Sequence, residues 1–158
     1  AKEKISSEGK YSVWDQGSSG LLGYSELDPT LSASMERPVI LFGDHTCTLR
    51  LVTKPCHVGP NLIAFTANAK SGMDPIWLYF ALVGKQEFQE YRRHWMELAQ
   101  KPVVRVPKHV EDEFVRSVRP RLELHSTLSL QNRTLETLRE LLLSELTSGR
   151  VRVSDFVS

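Results

Sequence analysis

The sequence is poor in cysteine and has no long apolar run. Its two cysteines, Cys47 and Cys56, are too few for a disulfide framework, so we expect a reducing compartment such as the cytoplasm. No stretch approaches the ~20 consecutive apolar residues that a membrane-spanning helix needs, and no secretory signal opens the sequence. These absences exclude the membrane and disulfide-rich secreted classes and favour a soluble globular protein.

Recognisable metal and cofactor motifs are also missing. The glycines of residues 17–23 suggest a phosphate cradle, but no Gly-Lys-Ser/Thr follows, and a tight hairpin is favoured instead. Zinc-compatible residue types occur at four positions: His45, Cys47, Cys56 and His57. A five-residue strand would hold the two cysteines roughly 16 Å apart. The sequence therefore predicts no metal, no cofactor and two structural cysteines.

Short apolar and alternating runs predict a strand-rich first part. The predicted strands cover residues 11–14, 21–24, 38–42, 48–52, 61–66 and 102–107. Asp74 followed by Pro75 predicts a helix with Asp74 as its N-cap, running to residue 83. The pattern indicates an α+β fold, in which a small mixed β-sheet domain is followed by a long C-terminal coiled-coil helix.

That long helix is predicted over residues 120–147, which contain no internal glycine or proline, after a short helix over 109–117. Its 28 residues would span roughly 42 Å, longer than a small domain needs to cover itself. Leucines recur in heptad register at positions a and d: Leu128, Leu135 and Leu142 at a, Leu124 and Leu138 at d. We expect this seam to bind a partner helix, the alternative being a core helix lying on its own domain.

Charge is unevenly distributed along the chain. Residues 45–108 carry nine basic and four acidic side chains, a net +5, whereas residues 1–44 carry a net −3. A basic middle permits nucleic-acid binding. The candidate DNA-contacting residues are those of two predicted loop tips, with basic residues nearby: Gln16, Ser18, Ser19, His45, Thr46, Arg50, Lys70, Arg92, Arg93 and His94.

Several stretches together resemble the specificity subunit of type I restriction-modification systems. The matching pieces are Tyr-Ser-Val-Trp at 11–14, Gln-Gly at 16–17, Gly-Leu-Leu-Gly-Tyr at 20–24, Phe-Gly-Asp-His-Thr at 42–46, Tyr-Arg-Arg-His-Trp at 91–95 and Asn-Arg-Thr-Leu-Glu-Thr-Leu-Arg at 132–139. They occur in order over most of the chain. Two departures stand out: the strand and helix that usually precede residue 11 are absent, and Cys47 stands where a basic residue is common.

The resemblance implies a target recognition domain over residues 1–108, a helical spacer and dimerisation region over 109–150 and a tail over 151–158. It implies one half of a specificity subunit, as a natural short version or a fragment. On this resemblance we expect a chain that is not an enzyme. We expect it to bind double-stranded DNA in the bacterial or archaeal cytoplasm, together with methyltransferase and restriction subunits, in host defence. Alone, we expect it to form a homodimer through its long helix.

Two other functions remain open on the sequence alone. Asp44 and His45 are adjacent at a loop tip and could act as the catalytic pair of a small nuclease or hydrolase. The leucine seam could instead belong to an interaction scaffold that assembles only through its long helix.

Overall fold

The computed structural model describes residues 5–17, 19–89 and 93–152. Its elements, in chain order, are β1 (Tyr11–Trp14), β2 (Leu21–Ser25), β3 (Val39–Gly43), β4 (Leu49–Val52), β5 (Cys56–Val58), β6 (Leu62–Phe65), a 3-10 helix (Ala69–Ser71), α1 (Pro75–Leu82), α2 (Trp95–Leu98) and α3 (Lys108–Thr147). Contacts divide the chain into two compact units, Ala1–Ser117 and Val118–Ser158. The α+β class is confirmed, while the functional boundaries at 108 and 150 stay predictions.

The strands form two small sheets. In the first, with order β2-β1-β5, β1 is antiparallel to β2 and parallel to β5. The second is fully antiparallel, with order β4-β3-β6. Five of the predicted strands are confirmed to within a residue or two at their ends. Strands β1 and β2, and strands β3 and β4, form hairpins, as expected for consecutive strands joined by short, turn-rich loops.

Strand β3 lies between two hydrophobic clusters because its successive side chains point to opposite faces. Leu41 packs with Ala33, Val52 and Cys56, and strands of the first sheet add residues to this cluster. Phe42, the next residue, packs on the other face with Leu82 of α1 and Leu98 of α2. The order of layers is therefore first sheet, second sheet, then α1 and α2.

Two strand assignments differ from the sequence prediction. Residues 102–107 form no strand in the described part of the chain, so that prediction was wrong. Prolines at both ends remove two ladder donors, and Val104 is 70% exposed instead of packing in a sheet. Strand β5 was not predicted, because three residues between Pro55 and Gly59 are too short to show alternation.

The start of helix α1 is fixed by two carboxylates. Oδ1 of Asp74 accepts the backbone N–H of Ile76 at 2.7 Å, and Pro75 occupies the first turn, which confirms the predicted N-cap. Oε1 of Glu111, in the first turn of α3, accepts the N–H of Asp74 at 2.7 Å and an ammonium hydrogen of Lys108 at 2.8 Å. The buried Glu111 carboxylate therefore ties the beginning of α3 to that of α1.

Helix α3 is one helix of 40 residues, whereas a short helix and a separate long one were expected. Pro120 lies inside it, where its ring nitrogen cannot donate to the carbonyl of Arg116. The helix nevertheless continues through this position to Thr147. No helix among the described residues is both long and apolar enough to cross a membrane.

We predict that Asp74→Ala lowers the free energy of unfolding by ~1 kcal/mol, the usual contribution of an N-cap. Asp74→Ser is the matched control, since its hydroxyl can accept the same N–H, and it should retain most of the stability. Urea unfolding followed by tryptophan fluorescence measures both variants. Equal stability of the alanine and serine variants would show that the cap contributes nothing.

Candidate nucleic-acid interface

The loops of the two hairpins meet although about 30 residues separate them in sequence. The hydroxyl of Thr46 donates to the backbone carbonyl of Gln16 at 2.7 Å, and that of Thr48 donates to the same oxygen at 3.3 Å. In return, the backbone N–H of His45 donates to Oε1 of Gln16 at 3.3 Å. The β1–β2 loop and the β3–β4 loop therefore form one polar surface, called here the loop pair (residues 15–17, 19–20 and 43–48).

The β3–β4 loop is tight at its base, where only glycine fits. A Cβ atom on Gly43 would lie 2.4 Å from Oγ1 of Thr46 and 2.6 Å from Oγ1 of Thr48. The loop closes through hydrogen bonds from Cys47 N to Gly43 O and from Gly43 N to Thr48 O, each 2.9 Å long. Cys47 adopts a left-handed φ of 55° to complete it. The absence of a side chain at Gly43 thus lets both hydroxyls turn toward the other loop.

Arg50 joins β4 to the β1–β2 loop. Its guanidinium carbon lies 5.5 Å from the ring centroid of Trp14, in cation–π range, and Nη2 donates to the carbonyl of Gly17 at 3.2 Å. A Cβ atom on Gly20 would lie 2.2 Å from the guanidinium. Gly20 thus leaves the space that Arg50 fills, and its φ of 73° closes the loop through the 2.7 Å hydrogen bond from Asp15 N to Gly20 O.

The start of α2 is joined to the loop pair through Asp44. Its carboxylate Oδ1 accepts the backbone N–H groups of His94 at 3.0 Å and Trp95 at 2.8 Å, at the start of α2. Its Oδ2 lies 3.9 Å from Nε of Arg93, whose side chain is 80% exposed. Asp44 is therefore occupied with holding α2, which gives the hypothesis of a catalytic pair formed by Asp44 and His45 no support.

The predicted DNA-contacting residues fall into four groups. Gln16, Ser19, His45, Thr46 and Arg50 lie on or beside the loop pair, and Arg93 adjoins it. Lys70 is exposed in the 3-10 helix, in another part of the unit. His94 is buried with both ring nitrogens hydrogen-bonded, so its imidazole does not face solvent. The predictions for Ser18 and Arg92 lie outside the described residues.

Three residues that shape this surface were missed from the sequence: Trp14, Thr48 and, as a helix cap, Asp44. Each acts on a residue 30 or more positions away, so local sequence carries no signal for it. The alternation in β4 does place Thr48 and Arg50 on one face, which is the only pattern that could have linked Thr48 to the site.

Both cysteines are free thiols. Burial raises the pKa of Cys56 to about 11, and burial followed by the nearby carboxylates of Glu97 and Asp44 raises the pKa of Cys47. Both groups are therefore protonated at neutral pH. Among the described residues, no three His, Cys, Asp or Glu side chains are grouped so as to hold a metal ion.

The leucines of the predicted seam are all exposed: Leu124, Leu128, Leu135, Leu138 and Leu142. Exposed leucines also lie off the seam: Leu130, Leu141, Leu143 and Leu146. So many exposed leucines on one helix is unusual for a surface that stays in contact with water.

Comparison with known proteins gives no match to any family model, curated protein or solved structure.

We predict that Gly20→Ala lowers the free energy of unfolding by ~1–3 kcal/mol, because alanine is strained at this φ and its methyl group displaces Arg50. Gly17→Ala is the matched control: a Cβ there meets nothing within 4 Å, and the carbonyl that binds Arg50 is retained. Its effect should stay within about 0.5 kcal/mol. Chemical denaturation compares the two, and equal losses would contradict the described space for Arg50.

Proposed function

We propose that this chain is a sequence-specific DNA-recognition module of a type I restriction-modification complex, equivalent to half of a specificity subunit. It acts in the bacterial or archaeal cytoplasm and has no catalytic activity of its own. Methyltransferase and restriction subunits perform the chemistry on the DNA that it selects. The proposal rests on the resemblance of its motifs and on the geometry of the loop pair.

The observation that carries the proposal is the joining of two distant loops into one surface through the carbonyl of Gln16. Reading a base edge requires donors and acceptors held in fixed positions, because a mobile side chain cannot discriminate one pattern from another. The Gln16 amide, the His45 imidazole and the Thr46 hydroxyl are side chains of the types that contact bases. Their loops are fixed by hydrogen bonds to each other and by Arg50.

Charge supports the same interpretation. The loop that contains His45, the strand that contains Arg50 and the segment that contains Arg93 all belong to the part of the chain with a net +5. Phosphate contacts supply much of the affinity of DNA-binding proteins and fix their register, while base contacts supply specificity. The exposure of the Arg93 side chain beside the loop pair supports a phosphate contact from this residue.

Measuring affinity over a series of salt concentrations tests DNA binding and the contribution of Arg92 and Arg93, called here the basic pair. We predict that Arg92→Ala and Arg93→Ala each weaken binding to duplex DNA, and that the slope of log affinity against log salt falls by ~0.9 for each phosphate that the variant no longer neutralises. Lys54→Ala is the control, because it removes the same charge from the turn between β4 and β5, at the end of β4 away from the loop pair. A wild-type chain that shows no salt-dependent binding would overturn the proposed function. Unchanged slopes in both arginine variants would remove the basic pair from the interface.

The long helix completes the proposal by joining two copies of the chain. Burying a leucine contributes roughly 1.5–3 kcal/mol, so a second helix on the exposed seam would stabilise an antiparallel dimer. Two identical recognition domains related by a two-fold axis would read an interrupted palindrome. The scaffold function considered from the sequence is then one part of this assembly.

We predict that Leu135→Asp dissociates this dimer, measured by sedimentation equilibrium. Leu130→Asp is the matched control, because Leu130 is similarly exposed (55%, against 63% for Leu135) but lies at heptad position c, off the seam. The control should remain dimeric. A monomeric wild type, or dissociation of both variants alike, would contradict the seam as the dimer interface.

A further inference from the structure

The segment that contains Arg93 is held from both sides by buried groups. Asp44, at the end of β3, accepts the backbone N–H groups of His94 and Trp95 with its carboxylate, as described above. The imidazole of His94 then bonds in two directions. Its Nδ1 lies 3.0 Å from the carbonyl oxygen of Asp44, and its Nε2 accepts the backbone N–H of Gln89 at 3.0 Å.

These contacts determine which ring nitrogen of His94 carries the hydrogen. A backbone N–H can only donate, so Nε2 must accept from Gln89. Nδ1 therefore carries the hydrogen and donates it to the carbonyl oxygen of Asp44. The ring thus links the end of β3 to both ends of the segment from residue 89 to residue 94. We call this set of hydrogen bonds among Asp44, Gln89, His94 and Trp95 the Asp44–His94 clamp.

Helix α2 depends on this clamp. It has four residues, too few to be stable by itself, and its N-cap residue His94 makes no side-chain capping bond. Asp44, 50 positions earlier in the sequence, supplies the missing cap. Trp95, the first residue of α2, packs against Phe42 and Phe65 of the second sheet, which fixes the helix on the same layer.

We infer that Asp44 and His94 are positioning residues, which hold Arg93 beside the loop pair so that the phosphate contact and the base-reading loops act as one surface. This inference rests on the proposed function. It assigns Asp44 and His94 no contact with DNA, although His94 was predicted to contact it and Asp44 begins the β3–β4 loop. His94 thereby moves from the predicted DNA-contacting set to the groups that support it.

The ion pair between Asp44 and Arg93 is secondary to the hydrogen bonds. At 3.9 Å and with Arg93 mostly exposed, it is a weak solvated contact that leaves the guanidinium available to a phosphate. The capping hydrogen bonds, in contrast, are charge-assisted and shielded from water. Removing the carboxylate leaves the His94 N–H only its 3.1 Å bond to the Asp44 carbonyl and removes the acceptor of the Trp95 N–H. It should therefore act on DNA binding mainly by loosening the backbone that follows Arg93.

A double-mutant cycle on DNA binding tests the inference, with full-length Asp44→Ala, Asp44→Asn, Arg93→Ala and the Asp44→Ala/Arg93→Ala double variant. We expect Asp44→Ala to reduce the salt slope by ~0.9, as Arg93→Ala does, since both remove one phosphate contact. The amide introduced by Asp44→Asn keeps an acceptor oxygen for the two N–H groups, so this variant should keep the wild-type slope. In the double variant the slope should fall no further than in Arg93→Ala.

The outcomes separate this inference from the proposed function. Absence of binding by the wild type defeats the proposed function itself. Binding by the wild type with additive slope changes in the double variant, or with a wild-type slope in Asp44→Ala, overturns the positioning role alone. If Asp44→Ala fails to fold, His94→Asn takes its place in the cycle, because it keeps a donor for the Asp44 carbonyl while it loses the acceptor for Gln89 and the ring contact with Phe88. An unchanged slope in His94→Asn then overturns the inference.

Discussion

The burial of strand β3 on both faces is the constraint on which the rest of the first unit depends. Leu41 and Phe42 are fully buried on opposite sides, so the strand needs a sheet against one face and helices against the other. Its polar backbone is satisfied by β4 and β6 on its two edges. Polar side chains begin only where β3 ends. Gly43 and Asp44, at that point, begin the loop on which the candidate site is built.

Asp44 connects the buried strand β3 to the start of α2 at the surface. A buried carboxylate is costly unless hydrogen bonds compensate it, and those bonds come from the backbone at the start of α2. One carboxylate therefore fixes the start of a helix of a single turn. The carbonyl of Gln16 and the side chain of Arg50 hold the β1–β2 loop against the β3–β4 loop, so that both loops contribute to the same surface.

Much of the fold could be predicted from the sequence, because its signals are local. Alternation at 48–52, the turn-rich loops and the Asp74–Pro75 start of α1 each lie within a few residues of the element they define. The prediction failed where the outcome depends on distant partners. Residues 102–107 resemble a strand in sequence but pair with no strand in the described part of the chain. The three residues of β5 form a strand because they pair with β1 and, at Cys56, with Leu31. The site divides in the same way: loop tips were predictable, whereas the burial of His94 depends on Asp44, 50 positions away.

The hydrogen bonds that join the two loops also determine which positions of this protein can change their side chain during evolution. The hydroxyls of Thr46 and Thr48 require only a backbone carbonyl at position 16, which every amino acid supplies. A substitution there keeps both of these bonds and loses only the one from His45 N to the Gln16 side chain. Position 16 can therefore acquire a new side chain through a single codon change that leaves these two bonds intact. Positions 46 and 48 have no such freedom, since their side chains form the framework.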